Sequence, residues 1–345
     1  MISLLEFEAL GSTSSSITLP KIVSLFSGAG GLDLGFQKAG YEVVLAVDCD
    51  HWAVETHKAA FPGSMSLQAD LVELGVDGFL KILKPLLVSG EKIGVIGGPP
   101  CQGFSRSNVS SKPDDPRNKL PMLYLQIVKA LQDKYAVEFI VFENVLGIQD
   151  KKHQTTFDSI QNTLQSFGLH QSVKVYDAYE FGVPQHRRRV VIAAFASDEV
   201  LRSFLPEKQV EGKRTVGEVT DSLPEPLYFS RNAELNPFHP NHWTMQPRSS
   251  RFSHPDEQSW DARSFRRLKS DEPSPTVAYG HREIHIHPNG KRRLSIYEAM
   301  LIQGFPSEYR LYGSFSAQVQ QVSNAVPPPL AFSLAVAIRE SLAQM

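Results

Sequence analysis

The sequence predicts an α/β protein in which a mostly parallel, doubly wound sheet is joined to a smaller, loop-rich domain. Between residues 21 and 195, short apolar runs alternate with amphipathic segments, which is typical of parallel strands connected by helices. After residue 197 prolines are scattered among His, Arg and Ser as far as Pro288, and little regular structure is predicted there. At 345 residues with 41% apolar content, the chain is long enough to bury the cores of two domains.

Five apolar runs are predicted to be strands, and a sixth, short strand is expected to end just before Asp70. The five runs lie at residues 22–26, 43–47, 92–96, 139–142 and 190–195. Helical spacing predicts helices over residues 32–39 and 123–131, and Gly40 suits the carboxyl end of the first. A Pro-Pro-Pro turn leads into an apolar helix at residues 330–338, which we expect to pack back onto the first domain.

The composition excludes several classes of protein. No stretch approaches the roughly 18 consecutive apolar residues of a membrane span, and the start of the chain lacks a signal-peptide pattern. Two cysteines cannot form a disulfide scaffold or a cysteine-rich zinc site, so a reducing, cytoplasmic location is expected. The formal net charge is -2, yet residues 241–293 carry ten Lys/Arg against six Asp/Glu. Such an excess is usually a solvated surface, but it also fits a nucleic-acid partner.

One cysteine follows a pair of prolines. Residues 97–105 read Gly-Gly-Pro-Pro-Cys-Gln-Gly-Phe-Ser, which brings Cys101 directly after the predicted strand at 92–96. Proline stiffens the turn that carries the thiol, and a thiolate is a strong nucleophile. Cys101 is therefore a candidate nucleophile, and the alternative is a small buried apolar residue.

A glycine-rich turn follows the first predicted strand. Residues 26–31 read Phe-Ser-Gly-Ala-Gly-Gly, and Asp48 ends the second strand twenty residues after Gly28. Glycines let a backbone approach a ligand and a carboxylate can hold ribose hydroxyls, although a simple tight turn uses the same residues. The spacing differs from the dinucleotide pattern, which favours a cofactor without a pyrophosphate. Asp70 could accept a hydrogen bond from an adenine amino group, or it could be a surface turn or a helix cap.

Together these motifs resemble the DNA (cytosine-5) methyltransferases of the bacterial and phage restriction-modification type. The resemblance adds Glu-Asn-Val at residues 143–145 and Gln-His-Arg-Arg-Arg at residues 185–189 to the cysteine motif. It extends through the block at residues 293–306 to Asn-Ala-Val-Pro-Pro at residues 324–328, and covers about residues 21 to 338. It implies a Rossmann-like S-adenosylmethionine-dependent methyltransferase fold with a target-recognition domain.

The resemblance also implies roles for the catalytic residues. Cys101 would add to C6 of a flipped cytosine, and Glu143 would donate a proton near N3 of the ring. Arg187 and Arg189 would lie near the cytosine carbonyl and the active-site carboxylate. Taken singly, Glu143 could instead cap a helix, and the arginines could belong to a solvated basic turn.

The implied methyl donor is S-adenosyl-L-methionine, and several family positions that contact it are recognisable. In this chain they are Phe26 at the adenine, Gly28 and Gly30 at the methionine, Asp48 at the ribose, Asp70 at the adenine amino group and Asn324 near the methionine. Cys49 stands where the family often has a tryptophan, and Ser323 stands where it has a glycine. No metal site is expected.

Double-stranded DNA is the implied partner. The polar segment at residues 103–119 would form a lid over the DNA, and the target would be read by the proline-rich region. The arginines expected to contact DNA are Arg106, Arg117, Arg248, Arg251 and Arg282. Histidines at 281, 285 and 287 are expected on a surface or DNA-facing strand rather than around a metal.

The expected organisation has five parts. They are a flexible leader at residues 1–20, a catalytic and cofactor-binding domain at 21–197, a target-recognition domain at 198–290, a hinge with a late motif at 291–316, and a returning helix at 317–345. The expected protein is a monomeric, sequence-specific DNA cytosine-C5 methyltransferase, with any cognate restriction endonuclease acting separately. Two alternatives are the tRNA-methylating branch of the same fold and a DNA-binding regulator without activity.

Overall fold

The computed structural model describes residues 18–100, 119–209, 214–229, 236–257, 265–276 and 285–345. Four predicted site residues, Cys101, Arg106, Arg117 and Arg282, lie outside these ranges, as do residues 1–17 of the predicted leader and residues 103–118 of the predicted lid.

A seven-stranded sheet forms the centre of the described structure. Its strands are β1 (Lys21–Leu25), β2 (Val43–Asp48), β3 (Met65–Gln68), β4 (Lys92–Gly97), β5 (Ala136–Val145), β6 (His170–Asp177) and β7 (Arg188–Phe195). Their order is β3-β2-β1-β4-β5-β7-β6, and only β7 runs antiparallel to its neighbours. The prediction of a mostly parallel sheet is confirmed, and β6 is a strand that the sequence analysis missed.

The described residues also form ten α-helices. They are α1 (Gly31–Lys38), α2 (His51–Ala60), α3 (Leu71–Leu83), α4 (Leu120–Gln132), α5 (Gln154–Ser166), α6 (Asp198–Ser203), α7 (Val216–Thr220), α8 (Ile296–Ile302), α9 (Phe315–Asn324) and α10 (Pro328–Ala343). The predicted helices over 32–39, 123–131 and 330–338 correspond to α1, α4 and α10. Helix α3 is interrupted at Gly75, which has φ +63°. None of the described helices is both long and apolar enough to cross a bilayer.

Alternating residues of the buried strands pack into two hydrophobic cores, one on each face of the sheet. In β5, Ile140 and Phe142 pack with α3, α4 and α5, whereas Phe139 and Val141 pack with α1, α6 and α10. Because successive side chains of a strand point to opposite faces, a sheet covered on both sides reads as a continuous apolar run.

The returning helix α10 packs against α1 on the second face, as predicted. A Cβ atom at Gly35 would lie 2.4 Å from the Cβ of Ala331, so glycine is what lets the two helices approach this closely. The guanidinium of Arg339 also donates to the carbonyl of Ala39 over 3.0 Å.

A third core joins the glycine-rich turn to the later part of the chain. Ala29 and Phe61 pack there with apolar residues of α8 and α9 and with Tyr309. The two-stranded ribbon of β8 (Leu227–Tyr228) and β9 (Trp243–Thr244) lies in the loop-rich region, where the other segments are mostly irregular. The predicted domain boundaries stay a prediction.

The histidines at 285 and 287 are partly exposed and flank Ile286, which is fully buried and forms bridges to both Arg267 and Arg293. Their expected place on a surface or DNA-facing strand stays a prediction. Burial lowers the pKa of His285 to about 4 and also lowers that of His287. His281 lies outside the described residues. Within the described ranges no group of three or more His, Cys, Asp or Glu could hold a metal ion.

Candidate active site

The strand order gathers the sequence motifs at one edge of the sheet. Leu25 at the end of β1 is in register with Gly97 at the end of β4, and Gly97 is in register with Phe142 of β5. Since β7 is antiparallel, its first residues lie at this same edge, with Arg189 opposite Val145. The glycine-rich turn, the Gly-Gly-Pro-Pro segment, Glu143 and the arginines therefore converge.

Glu143 and Arg189 form a buried ion pair across β5 and β7. The Nε atom of Arg189 lies 2.8 Å from Oε1 of Glu143, and the two side chains are 10% and 11% exposed. Arg189 also donates from NH1 to the carbonyl of Arg188 over 2.9 Å. Glu143 lies within a strand, so the alternative reading as a helix cap is wrong.

Burial dominates the titration of Glu143. Desolvation raises the pKa of this carboxyl above its ordinary value, and the positive charges of Arg189 and Arg187 and the Arg189 hydrogen bond oppose part of that rise. A carboxyl with a raised pKa retains its proton at higher pH than a solvated one. Glu143 is therefore suited to donate a hydrogen bond or a proton.

Gly98 makes room for the Glu143 carboxyl. A Cβ atom at this position would lie 2.8 Å from Oε2 of Glu143, closer than such contacts normally come. The adjacent Gly97 is constrained as well, because its Cβ would lie 2.4 Å from the carbonyl oxygen of Leu25. The two glycines before the prolines are thus explained by close approach rather than by flexibility.

Arg187 is one of the largest fully buried side chains in the described structure. Its NH2 group donates to the carbonyl of Ser323 over 2.6 Å, and its backbone N–H donates to Oδ1 of Asp177 over 2.9 Å. The alternative of a solvated basic turn is wrong for this residue. Arg187 instead links the edge of the sheet to the end of α9.

Asn144 is a residue of the site that the sequence analysis did not single out. Its side-chain amide donates to the carbonyl of Pro99 over 3.2 Å, and its Oδ1 accepts from the N–H of Val145 over 2.9 Å. Asn144 therefore holds the proline turn that leads to Cys101. An amide inside an otherwise apolar buried strand was the available signal.

The glycine-rich turn has an unusual backbone. Phe26 has φ +55° and is the only described residue other than glycine with a positive φ, while Gly28 and Gly30 have φ +54° and +78°. The N–H of Ser27 donates to the carbonyl of Val47, and that of Gly28 donates to Oδ2 of Asp48 over 2.8 Å. The left-handed conformation is strained for an aromatic residue, so these contacts must hold it.

The three glycines of the turn serve different purposes. A Cβ atom at Gly30 would lie 2.5 Å from the ring of Phe61, and one at Gly31 would lie 2.3 Å from the carbonyl oxygen of Val326. A Cβ at Gly28 would meet no atom within 4 Å, so this glycine borders open space. The space next to Gly28 is where a ligand could approach the backbone.

Of the other three predicted cofactor residues, Asp48, Asp70 and Asn324, only Asp48 is hydrogen-bonded to the turn in the described structure. Asp48 accepts from Gly28 and, through Oδ1, from the N–H of Asp50, and burial raises its pKa against these hydrogen bonds. Asp70 is exposed and caps α3 by accepting from the N–H of Val72, so the helix-cap reading is correct for its Oδ1 atom. Asn324 is exposed at the end of α9, immediately after the carbonyl that binds Arg187.

Comparison with known proteins decides the family. The model for C-5 cytosine-specific DNA methylase matches residues 20–340. The chain belongs to this family.

Relatives of this methylase cover nearly its whole length. Type II methyltransferase M1.HphI from Haemophilus parahaemolyticus is 34% identical over 329 residues, which cover 92% of this chain and 86% of the relative. Type II methyltransferase M.MthTI from Methanothermobacter thermautotrophicus is 34% identical over 337 residues, which cover 93% of this chain and 97% of the relative.

Solved structures agree on the fold. A protein assigned as a DNA modification methyltransferase, encoded within an E. coli prophage, aligns with a TM-score of 0.75 at 25% identity, over 94% of this methylase and 100% of that chain. The S. pombe Dnmt2 methyltransferase aligns with a TM-score of 0.62 at 15% identity, over 94% and 99%, and indicates the fold alone.

The described arginines of the loop-rich region differ in their surroundings. Arg248 is exposed, whereas the guanidinium of Arg251 lies 5.1 Å from the ring centre of Phe265. Arg293 lies at the same distance from that ring. Arg267 instead has structural partners, since it donates to the carbonyl of Pro288 and to Asp256. Arg248 and Arg251 thus stay candidates for contacts with DNA.

Proposed function

We propose that this methylase transfers a methyl group from S-adenosyl-L-methionine to C5 of cytosine at a specific sequence of double-stranded DNA. The observation that carries the proposal is the buried Glu143–Arg189 pair beside the Gly-Gly-Pro-Pro turn and the glycine-rich turn. Because relatives with similar length and about one third identity are named Type II methyltransferases, we further propose a modification enzyme of a restriction-modification system.

In the proposed reaction Cys101 is the nucleophile. Its thiolate adds to C6 of the cytosine, Glu143 supplies a proton to N3, and the electron pair of the C5–C6 double bond becomes available at C5. When bound, S-adenosyl-L-methionine supplies the electrophilic methyl group that C5 takes. Loss of the C5 proton to a base then expels the Cys101 thiolate and re-forms the C5–C6 double bond, and return of the N3 proton to Glu143 restores the ring.

Glu143, Arg189 and Arg187 prepare this chemistry in the proposal. The raised pKa of Glu143 supports its role as a proton donor. Arg189 orients the carboxyl through the 2.8 Å contact, and its permanent positive charge favours the negative charge that builds on the ring. Arg187, which is held by Asp177 and Ser323, is proposed to keep the base-binding edge rigid.

The glycine-rich turn fits the proposed methyl donor. The open space beside Gly28 and the carboxylate of Asp48 suit a nucleoside ribose and an amino-acid tail, and we propose that both residues contact them. The further proposed contacts follow the family positions, with Phe26 and Asp70 at adenine and Gly30 and Asn324 at the methionine part.

The remaining proposals concern the partner and the setting. We propose that one copy of the chain acts on duplex DNA in the cytoplasm and that a cognate restriction endonuclease acts separately. Residues 103–119 would close over the flipped base, with phosphate and base contacts from Arg106, Arg117, Arg248, Arg251 and Arg282.

A labelled-donor assay tests the function. Tritium from S-adenosyl-L-methionine should appear in duplex DNA, and transfer to tRNA alone would contradict the proposal. A duplex carrying 5-fluorocytosine should trap a covalent adduct, because fluorine at C5 cannot leave as a proton. The adduct should map to Cys101 and be absent from Cys101→Ser, with the same duplex containing ordinary cytosine as control. An adduct at another residue would overturn the assignment of the nucleophile.

A further inference from the structure

The connector between α8 and α9, residues 303–314, reaches the underside of the glycine-rich turn. Tyr309 in this connector is buried, and its hydroxyl donates to the carbonyl oxygen of Ala29 over 2.5 Å. Ala29 lies between Gly28 and Gly30, the two glycines of the turn with positive φ. The two residues are 280 positions apart, so this contact is a tertiary restraint on a short turn.

The connector is itself anchored on two sides. The side chain of Asn241 donates to the carbonyl of Leu311 over 2.8 Å and accepts from its N–H over 3.0 Å. On the other side, the hydroxyl of Thr56 in α2 accepts from the N–H of Tyr312 over 2.9 Å and donates to Gln321 over 2.6 Å. Because Leu311 and Tyr312, two and three residues after Tyr309, are fixed in this way, the phenol has little freedom to leave Ala29.

The turn needs such a restraint. Its backbone places Phe26 in the left-handed region, which disfavours any side chain with a Cβ. From below, Gly30 rests on the ring of Phe61, and Phe61 stacks on the buried His57 with ring centres 4.2 Å apart. These apolar contacts support the turn but do not fix its carbonyl groups. Among the described side chains, it is the Tyr309 hydroxyl that donates a hydrogen bond to a carbonyl oxygen of the turn.

The hydroxyl is suited to permanent donation. Burial raises the pKa of Tyr309 far above its ordinary value, and the nearby carboxylate of Asp33 raises it further. The phenol is therefore protonated at neutral pH.

We infer that Tyr309 is a positioning residue that holds the glycine-rich turn in the conformation that binds S-adenosyl-L-methionine. The inference rests on the proposed function, since it concerns the same turn and the same methyl donor. By this inference, the connector at residues 303–314 influences the affinity of the protein for the methyl donor.

The test is Tyr309→Phe, which removes only the hydroxyl oxygen. If the turn then adopts its binding conformation in about one molecule in ten, the apparent Kd for the donor rises about tenfold. The KM for the donor should rise with the Kd, while kcat at saturating donor and DNA stays within about twofold of wild type, because the catalytic groups are untouched. Kd is measured by calorimetry with the purified full chain.

Tyr124→Phe is the matched control. Tyr124 is also buried, but its hydroxyl donates to the carbonyl of Val95 over 3.1 Å and not to a carbonyl of the turn. This variant should lose thermal stability without a change in the Kd for the donor. An equal rise in Kd in Y124F would overturn the inference, because any lost buried hydroxyl would then have the same effect.

Thr56→Val provides a second measurement that does not alter Tyr309. It removes the anchor of the connector on α2 and should raise the Kd for the donor in the same direction by a smaller factor, about threefold. If Y309F yields no folded protein, a wild-type Kd in T56V overturns the inference. If wild type binds the donor and Y309F binds it with the same Kd, the inference alone is overturned. If wild type does not bind the donor, the proposed function is overturned as well.

Discussion

At the carboxyl edge of the sheet, the half formed by β1, β2 and β3 is held mainly by backbone groups, whereas the half formed by β4, β5 and β7 is held by buried charged side chains. In the first half, the N–H of Gly28 donates to Asp48 on the neighbouring strand. Asp70 caps the helix that directly follows it. In the second, Glu143 depends on Arg189 and Arg187 depends on Ser323 far along the chain. Apart from the bond from Tyr309 to Ala29, the geometry of the ligand-binding turn in the first half is thus set by local contacts, whereas reactivity in the second half depends on the assembled fold.

The strongest test of this contrast is Glu143→Gln. The amide keeps the size of the side chain but has no acidic proton, so kcat should fall about 10²- to 10⁴-fold while the Kd for the methyl donor stays near wild type. Single-turnover methyl transfer and calorimetry measure the two quantities. Glu138→Gln in the same strand is the control, because Glu138 pairs with Lys92 away from the site. A Kd that rises as much as kcat falls would show that the two halves are not separable.

A steric test of the second half is Gly98→Ala. The new Cβ would lie 2.8 Å from Oε2 of Glu143 and would displace the carboxyl, so kcat should fall about 10²-fold. Gly63→Ala is the matched control, because a Cβ there meets no atom within 4 Å and its backbone has ordinary φ. Steady-state kinetics at saturating donor decide the result, and a wild-type kcat in G98A would contradict the importance of this contact.

The complementary test of the first half is Asp48→Asn, with a smaller expected effect. The amide cannot accept from Gly28 and bind a ribose hydroxyl as a carboxylate does, so the KM for the donor should rise about tenfold at nearly constant kcat. Asp50→Asn is the control, since asparagine caps a helix as well as aspartate does. Initial rates over a range of donor concentrations separate KM from kcat, and a fall in kcat alone would break the contrast.

Sequence reasoning recovered the parts of the molecule that depend on local pattern. The buried parallel strands read as apolar runs because both faces of the sheet are covered, and the glycine-rich turn was recognisable from its spacing. Strand β6 was missed because it lies at the edge of the sheet, where polar residues such as Lys174 alternate with apolar ones and several side chains are exposed. An edge strand carries a weaker apolar signal than a central one.

The properties that arise from tertiary packing could not be read from the sequence. The burial of Arg187, the raised pKa of Glu143 and the support of Pro99 by Asn144 all depend on groups brought together by strand order. The burial of Ile286 between the histidines at 285 and 287 was also not foreseen, because a short polar stretch gives no sign of its two bridges. Motifs located the residues, and the fold determined their environment.

The close pairing of α1 with α10 has a consequence for synthesis on the ribosome. Residues 39 to 327 separate the two helices, so the apolar side of α1 is translated long before the helix that covers it. Until residues 328–343 emerge, Leu32 and Phe36 lack only the α10 part of their core, since Phe36 also packs with Tyr41 and Phe139. The part of α1 that faces α10 therefore stays uncovered for most of elongation, which favours aggregation of nascent chains.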